Sequence, residues 1–266
     1  MTAGVLGEIL ANTRGEVARQ RASRPLAELR EACRNLSPAR DFEAALRPAP
    51  GRRVAIIAEV KRASPSKGVM AGGLDPAAQA GRYAAAGAAA VSVLTDLKYF
   101  GGSLDDLIAV RAAVDAPVLR KEFIVDEYQL WEARAAGADA VLLIVAALSA
   151  EALRDLFHAS KGVGLATLVE AHTAAEVDQA LSLGAPVVGV NNRNLQTLQT
   201  SLDTSIELLP RIPPGTVAVS ESGLHHRADV ERVVAAGAQA VLVGEALVRA
   251  ADVGAKVREL SLQALA

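Results

Sequence analysis

Four times along its 266 residues the chain repeats one short pattern: "AAGAAAV" at 85–91, "AAGADAV" at 135–141, "SLGAPVV" at 182–188 and "AAGAQAV" at 235–241. Each reads as the end of a helix, a glycine that can take the left-handed conformation closing it, and a buried strand starting at once. Apolar runs recur at 54–60, 90–94, 117–119, 140–144, 165–169, 187–190, 217–219 and 240–243. Between them lie stretches with helical spacing, such as "DPAAQAGRYAAAG", "DEYQLWEARAAG" and "RADVERVVAAG". Short helix-to-strand turns leading into fully apolar strands favour parallel βαβ units. Eight units in sequence predict a closed (β/α)8 TIM barrel, with an open doubly wound sheet as the alternative.

The first 50 residues do not join the alternation. "GVLGEILANTRGEVARQ" and "PLAELREACRNL" read as amphipathic helices, and "RPAPGRR" at 47–53 as the connection into the first strand. The expectation is one domain over 1–266, with 1–50 a helical extension packed on the barrel. Hydrophobic residues make up 51% of the chain, yet there are only one tryptophan, three tyrosines and four phenylalanines. The core must therefore be largely aliphatic, and an aromatic near a strand end stands out.

A formal charge of -2 and scattered Lys and Arg give no footprint for nucleic acid. The single cysteine, Cys33, excludes an internal disulfide framework, and no run approaches the length of a membrane span. These features predict a cytoplasmic protein that binds neither nucleic acid nor membrane.

In a barrel of this kind the active site forms where the strands' carboxyl ends and the loops after them converge. The first strand ends in Glu59 and Lys61, followed by Ser64; the third ends in "RKEF" with Lys121; the fifth ends in Glu170. The sixth runs into "NNRN" at 191–194, the seventh into "SESG" at 220–223, the eighth into "VGEAL" at 243–247. One charge at a strand end is ordinarily a solvated rim residue, and Glu59 and Lys61, two apart on one strand face, could simply pair. Six polar ends at one mouth predict a catalytic site, because charges crowded there perturb one another. The glycines of the last two ends, Gly223 and Gly244, fit a phosphate held by backbone N–H groups after strands seven and eight; tight turns alone would also explain them.

Other motifs fall away. His158, His172, His225 and His226 show no metal-ligand spacing, and His225 and His226 read as a solvated loop. "GVGLAT" at 162–167 enters a strand instead of leaving one, and "GGS" at 101–103 lacks the lysine of a P-loop. No metal or cofactor is expected.

With these residues in place the chain resembles the indole-3-glycerol-phosphate synthase family, in "IAEVKRASPSKG", "VSVLTDLKYFGGS", "PVLRKEFIVDEYQL", "LVEAH", "VGVNNRNL" and "VSESGL", taken together and in this order. The resemblance implies ring closure of a carboxyphenylamino-deoxyribulose 5-phosphate with loss of carbon dioxide and water. It implies Lys121 as general acid, Glu170 as general base, Lys61 holding anionic groups and Glu59 orienting the lysines. Asn191 would hydrogen-bond near the reacting carboxylate, and Arg193 would order its neighbours with Glu221 as polar partner. Ser222, Gly223, Gly244 and Glu245 would form the phosphate site, Ser64 would sit in the first loop, and Phe100 and Phe123 would flank the aromatic ring. The implied partner is a small phosphorylated substrate, with other tryptophan-pathway enzymes as candidate associates. Leu97, where the family often carries Glu, and "SGLHHRADV" depart from its pattern. The competing readings are another phosphate-binding barrel such as phosphoribosylanthranilate isomerase, a Schiff-base lysine aldolase, and a non-catalytic barrel.

Overall fold

The computed structural model describes residues 4–48, 53–65 and 67–263; most of the predicted connection at 47–53 lies outside them. Eight strands form the barrel: β1 (Ala55–Val60), β2 (Ala90–Leu94), β3 (Val118–Lys121), β4 (Ala140–Ile144), β5 (Ala166–Ala171), β6 (Val187–Asn191), β7 (Val217–Glu221) and β8 (Ala240–Val243). Each pairs in parallel with the next, and β8 returns to β1, so the sheet closes and the open-sheet alternative is eliminated. The repeated glycines carry the turns as expected: Gly87, Gly137, Gly184 and Gly237 have φ of 88°, 89°, 68° and 114°, where a side chain would be strained.

Four strands run further than their apolar cores predict, β6 reaching Asn191 and β7 Glu221. The ladder carries β3 on to Lys121, opposite Leu94, and β5 on to Ala171, with Glu170 opposite Gly189. Hydrophobic pattern alone misses these residues, since they are polar groups on a face that opens into a cavity.

The core has two shells. Between sheet and helices lie residues such as Val91, Val141, Val169, Phe157 and Val230. Inside the barrel Ile57, Leu119, Leu142, Leu168, Val219 and Leu242 fill the lower layers. Helix starts are set by side-chain caps, for example Asp75 accepting from the Ala77 and Ala78 N–H groups and Ser149 from Ala152.

The extension forms the helices Val5–Ser23 and Leu26–Cys33, and a further helix, Phe42–Ala45, that periodicity over so few residues could not reveal. It is tied down by ion pairs from Arg21 to Asp126 at 2.5 Å and from Arg30 to Glu127 at 3.1 Å. A deeper tie is Asp139, fully buried at the start of β4: it accepts from the Arg40 N–H at 2.7 Å and the Val118 N–H at 2.8 Å and pairs with Arg111 at 3.3 Å.

Candidate active site

Side chains two apart on a strand share a face. Continuing the barrel's interior rows by one step therefore takes Ile57 to Glu59, Leu119 to Lys121, Leu168 to Glu170, Val219 to Glu221 and Leu242 to Gly244. One further step on the first row reaches Lys61. The sequence puts apolar residues on the inner rungs and charges on the top ones, so the charges meet above an apolar floor. All the residues to which the resemblance gave a role, from Glu59 to Glu245, line one cavity at the carboxyl end of the barrel.

At its base the charges interlock. Lys121 Nζ donates to Glu170 Oε2 at 3.1 Å and to Glu221 Oε2. Lys61 Nζ donates to Glu59 Oε1 at 2.5 Å. Glu170 and Glu221 are almost fully buried. Burial alone would drive the proton off Lys121, but the charges of Glu221, Glu170 and Glu59 outweigh it and hold the ammonium well above the ordinary lysine range. Burial likewise works against Glu170's charge, yet Lys121, the His172 imidazole and hydrogen bonds from Asn191 and Lys121 keep its carboxyl below the usual range. Glu221 goes the other way: burial, with Glu170 and Glu59 as like charges, pushes it up to about 7 despite Lys121. The arrangement supplies a fixed proton donor beside an ionised base.

Asn191 Oδ1 accepts from the Arg193 N–H at 3.0 Å, which turns the amide's other end toward Glu170. On the Glu221 carboxylate, Oε2 takes Lys121, and Oε1, buried over the Cα of Gly189, accepts no hydrogen bond.

Opposite lies a cradle of backbone. Ser222 and Gly223 follow β7 with φ of 67° and 79°, successive left-handed residues that line the cavity where the sequence leads one to expect an anion. Gly244 stands beside it at the start of the short helix Glu245–Val248. A Cβ on Gly244 would lie 2.5 Å from Glu59 Oε1 and 3.0 Å from Lys61 Nζ. The Glu59–Lys61 pair is thus packed against the cradle's own backbone. The Glu245 carboxylate is drawn to Arg249 at 3.3 Å and Lys67 at 3.7 Å, leaving its N–H as the group that can serve an anion. Phe100 and Phe123 face each other on a third side with ring centroids 6.4 Å apart, an apolar wall suited to an aromatic ring. Ser64 lies in a small hairpin, Ala63–Ser64 with Gly68–Val69, at the rim.

The family model for indole-3-glycerol phosphate synthase matches residues 6–260. The chain belongs to the indole-3-glycerol phosphate synthase family. It is 53% identical over 258 residues to the indole-3-glycerol phosphate synthase of Kineococcus radiotolerans, covering 96% of this chain and 94% of that one. It is 51% identical to that of Laribacter hongkongensis, over 96% of this chain and 98% of its relative. Among solved structures, 3-hexulose-6-phosphate synthase aligns with a TM-score of 0.62 at 20% identity, over 80% of this chain and all of that one, a likeness of fold.

The departures from the pattern of indole-3-glycerol phosphate synthases lie away from the charge cluster. Leu97 is 72% exposed, and its loop is held by Arg62, which donates to the Gly101 carbonyl at 3.0 Å and pairs with Asp106. His225 and His226 are exposed, as expected, their N–H groups bonded to Asp229.

Strand-end reading missed four contributors. Leu6 and Ile9 of the first helix line the cavity, since the extension reaches over the barrel mouth. Gly189, inside a strand, leaves the room that Glu221 occupies. His172, two residues past Glu170 and on its face, puts Nε2 3.4 Å from Glu170 Oε1 and Nδ1 3.3 Å from Glu176. The period-two rule that finds Lys61 from Glu59 would have found it.

Proposed function

We propose that this chain carries out its family's reaction with Lys121 as general acid and Glu170 as general base. The family's activity, a carboxy-lyase step of tryptophan biosynthesis, is this chain's activity; the division of labour among its residues is our reading. The substrate's aromatic ring lies against Phe100 and Phe123, and its phosphate lies on the N–H groups of Ser222, Gly223, Gly244 and Glu245.

As the ring carbon bearing the carboxylate attacks the ketone, Lys121 protonates the developing oxyanion. Loss of carbon dioxide returns the electron pair to the ring. The hydroxyl then departs as water with a second proton, and Glu170 takes the C–H proton whose removal completes the indole. Lys61 holds the reacting carboxylate, Asn191 orients it, and Glu59 keeps Lys61 in place.

The observation that carries this reading is donor count. An ammonium has three N–H groups. Two of those on Lys121 go to Glu170 and Glu221, which leaves one, in a fixed direction, for the ketone oxygen. Lys61 gives one to Glu59 and keeps two for an anion.

Among the described residues no helix is long and apolar enough to cross a membrane. On the single cysteine we assign the cytoplasm, with neighbouring tryptophan-pathway enzymes as candidate associates and residues 1–50 working as part of the barrel.

The test is indole fluorescence on carboxyphenylamino-deoxyribulose 5-phosphate. Lys121→Ala and Glu170→Gln are each expected to lower turnover by about 10² to 10⁴-fold with the fold intact. Near-normal turnover in either variant removes that residue from the mechanism.

A further inference from the structure

The second asparagine of "NNRN", Asn192, does not face the cavity, and the proposed mechanism leaves it without a task. It is 2% exposed, and all of its polar groups are engaged. Its N–H donates to the Glu221 carbonyl at 2.9 Å, and its carbonyl accepts from the Ser201 N–H at 3.0 Å. Its Oδ1 accepts from the Ser205 N–H at 3.0 Å, and its Nδ2 donates to Ser220 Oγ at 3.1 Å and to the Ser222 carbonyl at 3.0 Å. Ser220 Oγ is in turn 2.7 Å from Ser205 Oγ. One buried residue, through its backbone and its side chain, therefore joins the end of β6, the loop returning at Ser201, the helix Asp203–Leu208 and the end of β7.

The last of these contacts falls on an unusual residue. Ser222 has φ 67°, a conformation that side chains other than glycine adopt at a cost. Such a residue persists where its surroundings over-determine it, and the amide of Asn192 is the side chain that grips its carbonyl.

We infer that Asn192 is a positioning residue, holding Ser222 left-handed so that the N–H groups of Ser222 and Gly223 converge on the substrate phosphate. This rests on the reading of Ser222 and Gly223 as the phosphate cradle.

The cycle that tests it combines Asn192→Ala with Ser222→Gly, since glycine takes positive φ without help. In the otherwise wild-type enzyme, Asn192→Ala is expected to raise both KM for the phosphorylated substrate and the inhibition constant of inorganic phosphate by about tenfold, with a smaller change in kcat. In the Ser222→Gly background the same change is expected to cost less than about twofold. Equal losses in both backgrounds, or no loss in the first, overturn the inference. Should Asn192→Ala fail to fold, Asn192→Asp serves in its place: it keeps the acceptor for Ser205, and its added charge acts alike in both backgrounds and cancels in the cycle. Gly223→Asp separates the levels of the argument. Unchanged phosphate affinity there refutes the cradle itself, whereas weakened affinity with no Asn192 effect refutes this inference alone.

Discussion

Gly189 touches no substrate in the proposed mechanism, yet Gly189→Ala should disarm the acid. It sits in β6 with an ordinary strand conformation, so alanine meets no backbone strain. The added methyl would instead overlap Glu221 Oε1 and come within 3.1 Å of Leu168 Cδ1. Glu221 must move, and its other oxygen is the one that grips Lys121. Overpacking of this kind costs about 1–3 kcal/mol, offset by roughly 0.5–1 kcal/mol from replacing a strand glycine. The net, about 1 kcal/mol, corresponds to roughly 2–4 °C in Tm for a chain of this size. The larger effect is on chemistry. Glu221 is the foremost of the charges that hold the Lys121 proton in place against burial. With it displaced, the lysine's pKa falls, and an acid works only below its pKa. The alkaline limb of the kcat profile should therefore move to lower pH, and kcat should fall by roughly ten- to a hundredfold. Stopped-flow fluorescence across pH, alongside a thermal melt, reads both. A variant with wild-type kcat and an unmoved alkaline limb would show that Glu221 does not set the state of Lys121.

His172 gives a prediction of opposite sense. Burial works against its charge, but Glu176 and Glu170 raise its pKa, and its positive charge helps hold Glu170 below the ordinary carboxylate range. A base works above its pKa, so His172→Asn should shift the acidic limb of kcat/KM to higher pH, and a limb that stays in place would deny the coupling. Asp139 lies on no catalytic path: Asp139→Ala would leave the N–H groups of Arg40 and Val118 without acceptors and Arg111 without its partner. A loss of about 3–5 kcal/mol in urea unfolding is expected, with kcat unchanged in the folded fraction; an unaltered midpoint would mean that the extension is held by other contacts.

How much of this was legible in the sequence follows from what each signal encodes. The four glycine repeats marked helix-to-strand turns because a left-handed residue there is a local requirement, and eight alternating strand and helix units favour closure. The site's charged residues were legible because a barrel collects strand ends, so position along the chain stood in for position in space. The apolar runs alone stop short of the strand ends, because hydrophobicity falls silent where a strand rises above the core, but Lys121 and Glu170 belong to the ladder as their reading as strand-end residues expected. The hydrogen bond from Lys121 to Glu221 was not legible, because several cations lie at the mouth and only side-chain packing settles which carboxylate each one meets. Contributions from Leu6 and Ile9 come from an element outside the repeat, whose docking no periodicity records.

Proton accounting gives the two lysines different work. Per turnover the ketone oxygen acquires two protons and leaves as water, while one proton comes off carbon; the carboxylate departs as neutral carbon dioxide. The site therefore draws one proton from solvent in every cycle. The proton taken by Glu170 has a direct return, since its Oε2 is 3.1 Å from Lys121 Nζ, and that loop closes without water. Glu221, with its pKa pushed up to about 7 by burial and its acidic neighbours, borders the same lysine and buffers its charge. Neither carboxylate can meet the remaining demand from solvent, because their side chains are 2% and 1% exposed. Lys61, at 15% the most open side chain of the two ion-paired clusters, can. It stands against Gly244 at the cavity's edge with one N–H committed and two free. If Lys121 and Glu170 carry the roles proposed above, the buried lysine would serve ring closure with a recycled proton, and the rim lysine would bring in the proton that leaves with water.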